Sequence, residues 1–217
     1  MSADLRFIVY SDYLCPWCVN ADLRLRRLEE QYEGRVDLEF KSFLLRPQPR
    51  PDPQDAEHAA AALAKFRRYT EGWQQIGAEP DAGEFTVWQG DEGPPSHSIP
   101  AHAVAKAAAR LGRESFRRMH ERLLQAYFVE SRDISREAVL RELWDELGLD
   151  PKGFAAREDP EIQAQVIADH EEALQLGATG VPAVRLEDNE AVIVGAQPVE
   201  LYKRWIDRQL ARRAASA

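Results

Sequence analysis

The sequence predicts a mixed α/β protein, a βαβ…ββα core interrupted by a large all-helical insertion. Three observations predict it. The first 45 residues pass from an apolar run to a helix-patterned stretch and then to an alternating run; a proline-rich boundary follows, with helical patterning as far as Gly177; two short strand-like runs and a final helical stretch close the chain. Residues 1–46 and 179–217 are therefore expected to form the core, and residues 47–178 the insertion.

LRFIVYS, Leu5 to Ser11, is a short apolar run that includes β-branched Ile8 and Val9, as a buried strand requires. A helix should follow. Pro16 suits its first turn, where a missing N–H is no loss. Ala21, Leu25, Leu28 and Tyr32 then repeat at helical spacing up to Gly34. In VDLEFKSFLL, Val36, Leu38 and Phe40 alternate with Asp37, Glu39 and Lys41, which is strand spacing and completes a βαβ unit. RPQPRPDPQD, with four prolines in ten residues, marks the boundary. Beyond it, Ala59, Leu63 and Phe66 share one face of a helix expected to end near Gly77. Pro100 opens a second helix that runs to Leu111 and stops at Gly112. Phe116, Met119, Leu123 and Tyr127 mark a third. Ser135 is the expected N-cap of a fourth, carrying Val139, Leu140, Leu143, Trp144 and Leu147. Pro160 opens the last of the block, with Ile162, Val166, His170 and Ala173 in line. Ala183–Leu186 and Ala191–Val194, separated by EDNE, read as a hairpin, and Leu201, Trp205, Ile206 and Leu210 as a terminal helix.

At 217 residues and 44% hydrophobic content, the chain suits one domain, or one interrupted by another. Its formal charge of -9 repels phosphate backbones and argues against nucleic acid as a partner. The basic clusters Arg24–Arg27 and Arg208–Arg213 are expected on solvated helix faces, the second near a helix C-terminus. No stretch approaches the ~18 apolar residues of a membrane span. LRFIVY is too short for a secretory h-region and lacks a basic n-region before it, so the expected location is cytoplasmic.

The chemistry centres on SDYLCPWCVN, which holds both cysteines of the chain, Cys15 and Cys18. A bridge between them closes almost no loop, so a purely structural disulfide is a poor explanation. Zinc needs about four ligands; a second cysteine pair is missing and the five histidines are scattered, so no metal is expected. Thiolate is the reactive form, and a free thiol titrates near ~8.5. At a helix N-terminus, unpaired N–H groups and the helix dipole favour the anion of Cys15. Cys18, one turn further along and more buried, is placed to resolve a mixed disulfide formed at Cys15. Pro16 stiffens the turn. Trp17 brings an indole near the sulfurs but no positive charge. Two inert core cysteines are the alternative, which their position between a buried strand and a helix start disfavours.

In GATGVPAV, Pro182 follows β-branched Val181 and precedes a strand. In the cis form it would expose the Val181 backbone, to which an extended substrate peptide could add like a strand. An ordinary trans proline is favoured by base rates when the tripeptide is taken alone; a layout that brings residues 15 and 182 together reverses the preference. Tyr13 either lines the groove or packs as a core aromatic. Lys41 or Glu39 either assists deprotonation of Cys18 or lies on the surface. His97 and His102, flanking a helix start, are expected to cap or pack.

The ordered set FIVYSDYLCPWC, FLLRP, SHSIPAHAVAKAA, DISREAVLRELWDELGLD, GATGVPAV and IVGAQP resembles the DsbA-type members of the thioredoxin superfamily over nearly the whole chain. Within them it is most similar to the FrnE-like dithiol-disulfide isomerases or oxidoreductases. The resemblance implies a thioredoxin core with a helical insertion, Cys15 as the attacking thiol, Cys18 as the resolving one and Pro182 as a cis proline. It implies no cofactor beyond the cysteine pair, with protein or glutathione disulfides as partners. Trp17 stands where secreted DsbA enzymes usually carry histidine, which implies a less oxidising pair. The further C-terminal cysteines of some FrnE-like members are missing, which leaves one redox centre. Kappa-type glutathione transferases and 2-hydroxychromene-2-carboxylate isomerases carry serine at the first cysteine position, so Cys15 argues against that branch while admitting glutathione as a substrate.

The leading expectation is thus a cytoplasmic thiol-disulfide oxidoreductase or isomerase. At a cytosolic poise of about -220 to -260 mV, a reductase, isomerase or stress responder suits the compartment better than a strong oxidase. A glutathione-dependent isomerase or transferase on a small aromatic molecule is the second reading. A non-catalytic helper that holds unfolded peptide is the third.

Overall fold

The computed structural model describes residues 3–216. Its sheet is centred on β1 (Leu5–Ser11), in which every residue but Arg6 is buried. A strand covered on both faces must be apolar on both, which is why its sequence is a continuous run instead of an alternation. After α1 (Pro16–Gln31), β2 (Val36–Ser42) pairs parallel to β1, with Val9 opposite Phe40. On the other side β3 (Ala183–Leu186) pairs antiparallel to β1, with Val9 opposite Val184, and the two-residue β4 (Ile193–Val194) closes the sheet. Among the described residues the order is β2-β1-β3-β4.

Odd and even residues of β1 feed different cores. Leu5, Phe7 and Val9 pack with Leu25 and Leu28 of α1 and with Tyr202 and Ile206 of α8 (Val199–Ser216). Ile8 and Tyr10 face the other way, onto Phe43 and onto Ala173 of α7 (Pro160–Gln175). The sheet is therefore sandwiched between helices.

Between β2 and α7 lie α2 (Ala56–Glu71), α3 (Trp73–Gly77), α4 (Ile99–Arg110), α5 (Arg113–Phe128), α6 (Glu137–Glu146) and a 3-10 helix at Pro151–Glu158. They enclose a third core of Trp73, Trp88, Met119, Leu123 and Trp144, which also takes in Tyr13 and Val19 from either side of the cysteines. The CPWC turn thus sits where the sheet-bearing part meets the helical block.

Four expectations need adjustment. The helix through Gly77 is broken at Gly72 into α2 and α3. Ser135 does not cap α6: its hydroxyl and amide both donate to Asp133, and the helix starts two residues later. The predicted second strand through Leu45 stops at Ser42, and Leu45 N–H turns away to the Asp12 carboxylate. Arg24 is no solvated cation. It is buried, bonded to Glu79 and Asp81 of the helical block and to the Ala196 and Gln197 carbonyls at 3.1 Å each, and so ties the helical block and the segment before α8 to α1. Among the described residues no helix is long and apolar enough to cross a membrane.

Candidate functional site

Cys15 occupies the N-cap of α1 with extended backbone (φ -98°, ψ 112°), and Pro16 begins the helix. Its own N–H donates to Asp12 O at 3.0 Å, and its carbonyl accepts from Cys18 N–H at 3.0 Å. The turn is therefore closed from both sides. Both thiols are free and buried, so any reaction takes place at a shielded edge instead of an open surface.

The two sulfurs are unequal. Cys15 is held below the ordinary thiol range, first by a hydrogen bond from the Cys18 side chain; the backbone N–H groups of Cys18 and Trp17 add to this against the cost of burial. Cys18 is pushed well above that range by burial and then by its bond and charge coupling to Cys15. Of the two thiols, Cys15 is thus the one favoured to ionise and Cys18 the one favoured to keep its proton. The amides at the helix start do for the anion of Cys15 what a nearby cation would do elsewhere.

Across the turn, the Val181–Pro182 peptide bond is cis, and Cys15 Sγ donates to Val181 O at 3.3 Å. Pro182 is buried and leads directly into β3, where its carbonyl accepts Gly195 N–H at 2.8 Å. The pairing of β3 with β1 brings these distant residues together. Pro16 is buried against the turn, whereas Trp17 is 40% exposed beside the cysteines. Tyr13 does not line a groove. It is turned inward, its hydroxyl 2.9 Å from His120 Nδ1 and its ring 4.8 Å from that of His102.

Lys41 and Glu39 each have another charged partner, Glu39 lying 3.9 Å from Arg6 Nη1. Lys41 Nζ bonds Glu172 at 2.7 Å, and Tyr10 and Arg185 bond the same carboxylate, a cluster that joins β1, β2 and β3 to α7. Against the cost of burial, Lys41, Tyr10 and Arg185 hold Glu172 down at about 2. His102 is buried and neutral, pushed down to about 3 by burial and then by the Lys106 charge. His97 bonds Ser96 Oγ. Among the described residues no group of His, Cys, Asp or Glu side chains converges as metal ligands would.

Sequence reasoning missed Asp12. Its buried carboxylate accepts Leu14 N–H at 2.7 Å on one oxygen, and Leu45 N–H and Ser98 Oγ–H at 2.6 Å each on the other. Three chain segments are thus gathered around the residue three places before Cys15. Burial raises Asp12 to about 6, despite those bonds and the Arg46 charge, and its negative charge works against ionisation of Cys15. An acidic residue between a buried strand and a helix start is the signal that could have found it.

This sheet, with α1 leaving β1 at the CPWC turn and a helical block inserted before β3, defines a thioredoxin-type protein. Residues 6–207 match the DSBA-like thioredoxin domain, and the chain belongs to that family, which makes it a thiol-disulfide oxidoreductase. It is 28% identical over 206 residues to the uncharacterised protein YwbO of Bacillus subtilis, covering 91% of this chain and 94% of that one. Its fold is similar to a probable DsbA oxidoreductase of Streptomyces coelicolor (TM-score 0.71, 24% identity, 95% of this chain and 90% of that one). It is also similar to the cytosolic disulfide reductase DsbM of Pseudomonas aeruginosa (TM-score 0.66, 23% identity, 98% of both chains).

Proposed function

We propose that Cys15 and Cys18 are the redox pair of a cytoplasmic thiol-disulfide reductase or isomerase of the FrnE-like branch, acting on protein or glutathione disulfides. The observation that carries this is the asymmetry at the helix start, where Cys15 is favoured as thiolate and Cys18 as thiol. Cys15 thiolate attacks one sulfur of the substrate disulfide, and the other sulfur leaves as a thiolate. Cys18 then loses its proton and attacks Cys15 Sγ, which releases the second substrate thiol and leaves a Cys15–Cys18 disulfide. Two electrons pass to the substrate, and a dithiol donor must restore the pair. In isomerisation the mixed disulfide is instead attacked by another substrate thiol, and no electrons are consumed.

The Cys15-to-Val181 bond needs the thiol proton, so ionisation frees the Val181 carbonyl for a substrate N–H. In this reading Val181 and Pro182 offer backbone to the substrate, while Pro16 and Trp17 border it. Residues 1–46 and 179–217 carry the chemistry, and residues 47–178 form the wall beside it. The cytoplasmic placement and the reducing direction follow the cytosolic reductase to which the fold is similar, and the absence of a cation at Trp17.

The test is equilibration in glutathione redox buffers with thiol trapping and mass readout, together with Cys18→Ser. An intramolecular disulfide in the wild type and a trapped mixed disulfide in the variant are expected. No intramolecular disulfide at any ratio would sink the proposal. Turnover of a small aromatic substrate that survives Cys18→Ser would favour a glutathione-dependent transferase instead.

A further inference from the structure

Arg24 lies on the helix that carries Cys18, further from the redox turn, and is buried. A guanidinium holds five N–H groups in a rigid plane and keeps its charge, so a buried one needs acceptors all round. Arg24 finds them on two segments from opposite halves of the chain. Nε and Nη2 bond the two oxygens of Asp81, at 2.8 and 2.6 Å, and Nη2 also bonds Glu79. Nη1 donates to the Ala196 and Gln197 carbonyls at 3.1 Å each. Every N–H is thereby used, and the guanidinium plane is fixed from both sides.

Both segments are held in turn. One turn earlier on α1, buried Asn20 donates to Ile76 O at 3.2 Å and accepts Gly83 N–H at 3.1 Å, which seats the loop that carries Glu79 and Asp81. On the other side, Gly195 N–H, in the residue before Ala196, donates to Pro182 O at 2.8 Å. Tyr202 grips the same loop, its hydroxyl donating to Gly195 O at 3.3 Å and accepting Gln197 N–H at 3.4 Å. Val181, the neighbour of Pro182, is the residue whose carbonyl meets Cys15 Sγ. A run of bonds thus leads from the helical block through Arg24 to the backbone beside the reactive sulfur. Arg67, Arg118 and Arg157 also donate to carbonyls, but to those of Gly90, Leu147 and Phe154, all within the block.

We propose that Arg24 is a positioning residue for substrate: by holding Ala196 and Gln197 it keeps Gly195 on Pro182, and so keeps the Val181 backbone aligned with Cys15 for an extended peptide. This rests on the redox role of Cys15 and Cys18 and adds a role for the helical block, whose Glu79 and Asp81 orient the guanidinium. Lysine keeps the charge but has no planar fork, so it cannot serve both segments at once. A substrate that bonds the Val181 backbone feels that change, and a small disulfide without amides does not.

The test is single-turnover oxidation of the reduced, full-length protein, following loss of free thiols over a range of probe concentrations. One probe is the disulfide-linked dimer of a blocked, extended peptide with a central cysteine. The other is 2-hydroxyethyl disulfide, which has no backbone N–H. In Arg24→Lys the peptide concentration giving half the limiting rate should rise about fivefold, equivalent to ~1 kcal/mol or one backbone hydrogen bond, with the limiting rate little changed. The rate with 2-hydroxyethyl disulfide should hold. Hydrogen exchange gives a second readout: the Gly195 amide should exchange faster in the variant while the amides of β1 keep their protection. Glu79→Gln/Asp81→Asn, which leaves the guanidinium in place without its orienting charges, should shift the peptide in the same direction and stands in should Arg24→Lys not fold. Equal losses with both probes, a rise in exchange shared by β1, or no change at all overturns the proposal and leaves the redox pair standing. Should neither probe oxidise the wild-type dithiol, the redox reading and the role of Arg24 fall together.

Discussion

Asp12→Asn separates the two things that the carboxylate does. In the wild type, burial raises Asp12 from 3.8 to about 6. A group whose folded value is raised contributes stability that is fully present below its unfolded value and lost as pH rises through the folded one. The difference, about 6 minus 3.8, is roughly 2 units, or about 3 kcal/mol at ~1.36 kcal/mol per unit. Asparagine cannot ionise, so the variant lacks this dependence. It has a separate, pH-independent cost. Its oxygen can keep the Leu45 and Ser98 bonds, but its amide then meets Leu14 N–H donor to donor, which costs about 1–3 kcal/mol. Urea unfolding of both proteins from pH ~4 to ~7 should show the wild type more stable at the acid end, by about that cost, and its advantage shrinking by about 3 kcal/mol toward neutrality. A stability difference that stays flat across this range refutes the argument. The ultraviolet absorbance of the thiolate should also show Cys15 ionising at lower pH in the variant, because a charge opposing it has gone.

Glu172→Gln runs in the opposite sense. Glu172 is depressed to about 2, so its contribution is present above the ordinary carboxylate value and lost as pH falls through about 2; the variant should be less stable at neutrality by about 1–2 kcal/mol after solvent screening, converging with the wild type in acid unfolding curves. Gly83→Ala puts a Cβ 2.5 Å from Val19 Cγ1, on the helix that carries Cys18, and should cost about 1–3 kcal/mol in urea unfolding. Arg24→Ala removes the partner of Glu79 and Asp81 and two carbonyl bonds from a buried position; a loss of about 3–5 kcal/mol is expected in the same assay. Cys15→Ser should abolish disulfide exchange in a turnover assay while His102→Ala, buried and neutral, should leave it in place; comparable losses in both would refute the ranking.

Much of the fold was legible because its signals are local. LRFIVYS is apolar on both faces because β1 is covered on both, and the stripes of α4, α5 and α7 have the helical period. Boundaries were less legible. The break at Gly72, the late start of α6 and the end of β2 at Ser42 depend on bonds to residues that the local pattern does not contain, such as Leu45 to Asp12. Tyr13 shows the same limit at the site: an aromatic before a reactive turn can face either way, and His102 and His120, about a hundred residues on, decide that it faces inward.

The sequence by itself determined the α/β class, the βαβ…ββα order around a helical block, and the spacing that places one cysteine at a helix start and the other a turn later. These follow from periodicity and from proline and glycine positions, which act over a few residues. The tertiary structure decided the rest: Val181 O beside Cys15, Asp12 buried among three segments, and Arg24 drawn inward. Burial and charge pairing are sums over neighbours from the whole chain, so an ionisable side chain acquires its character only when distant segments have packed around it.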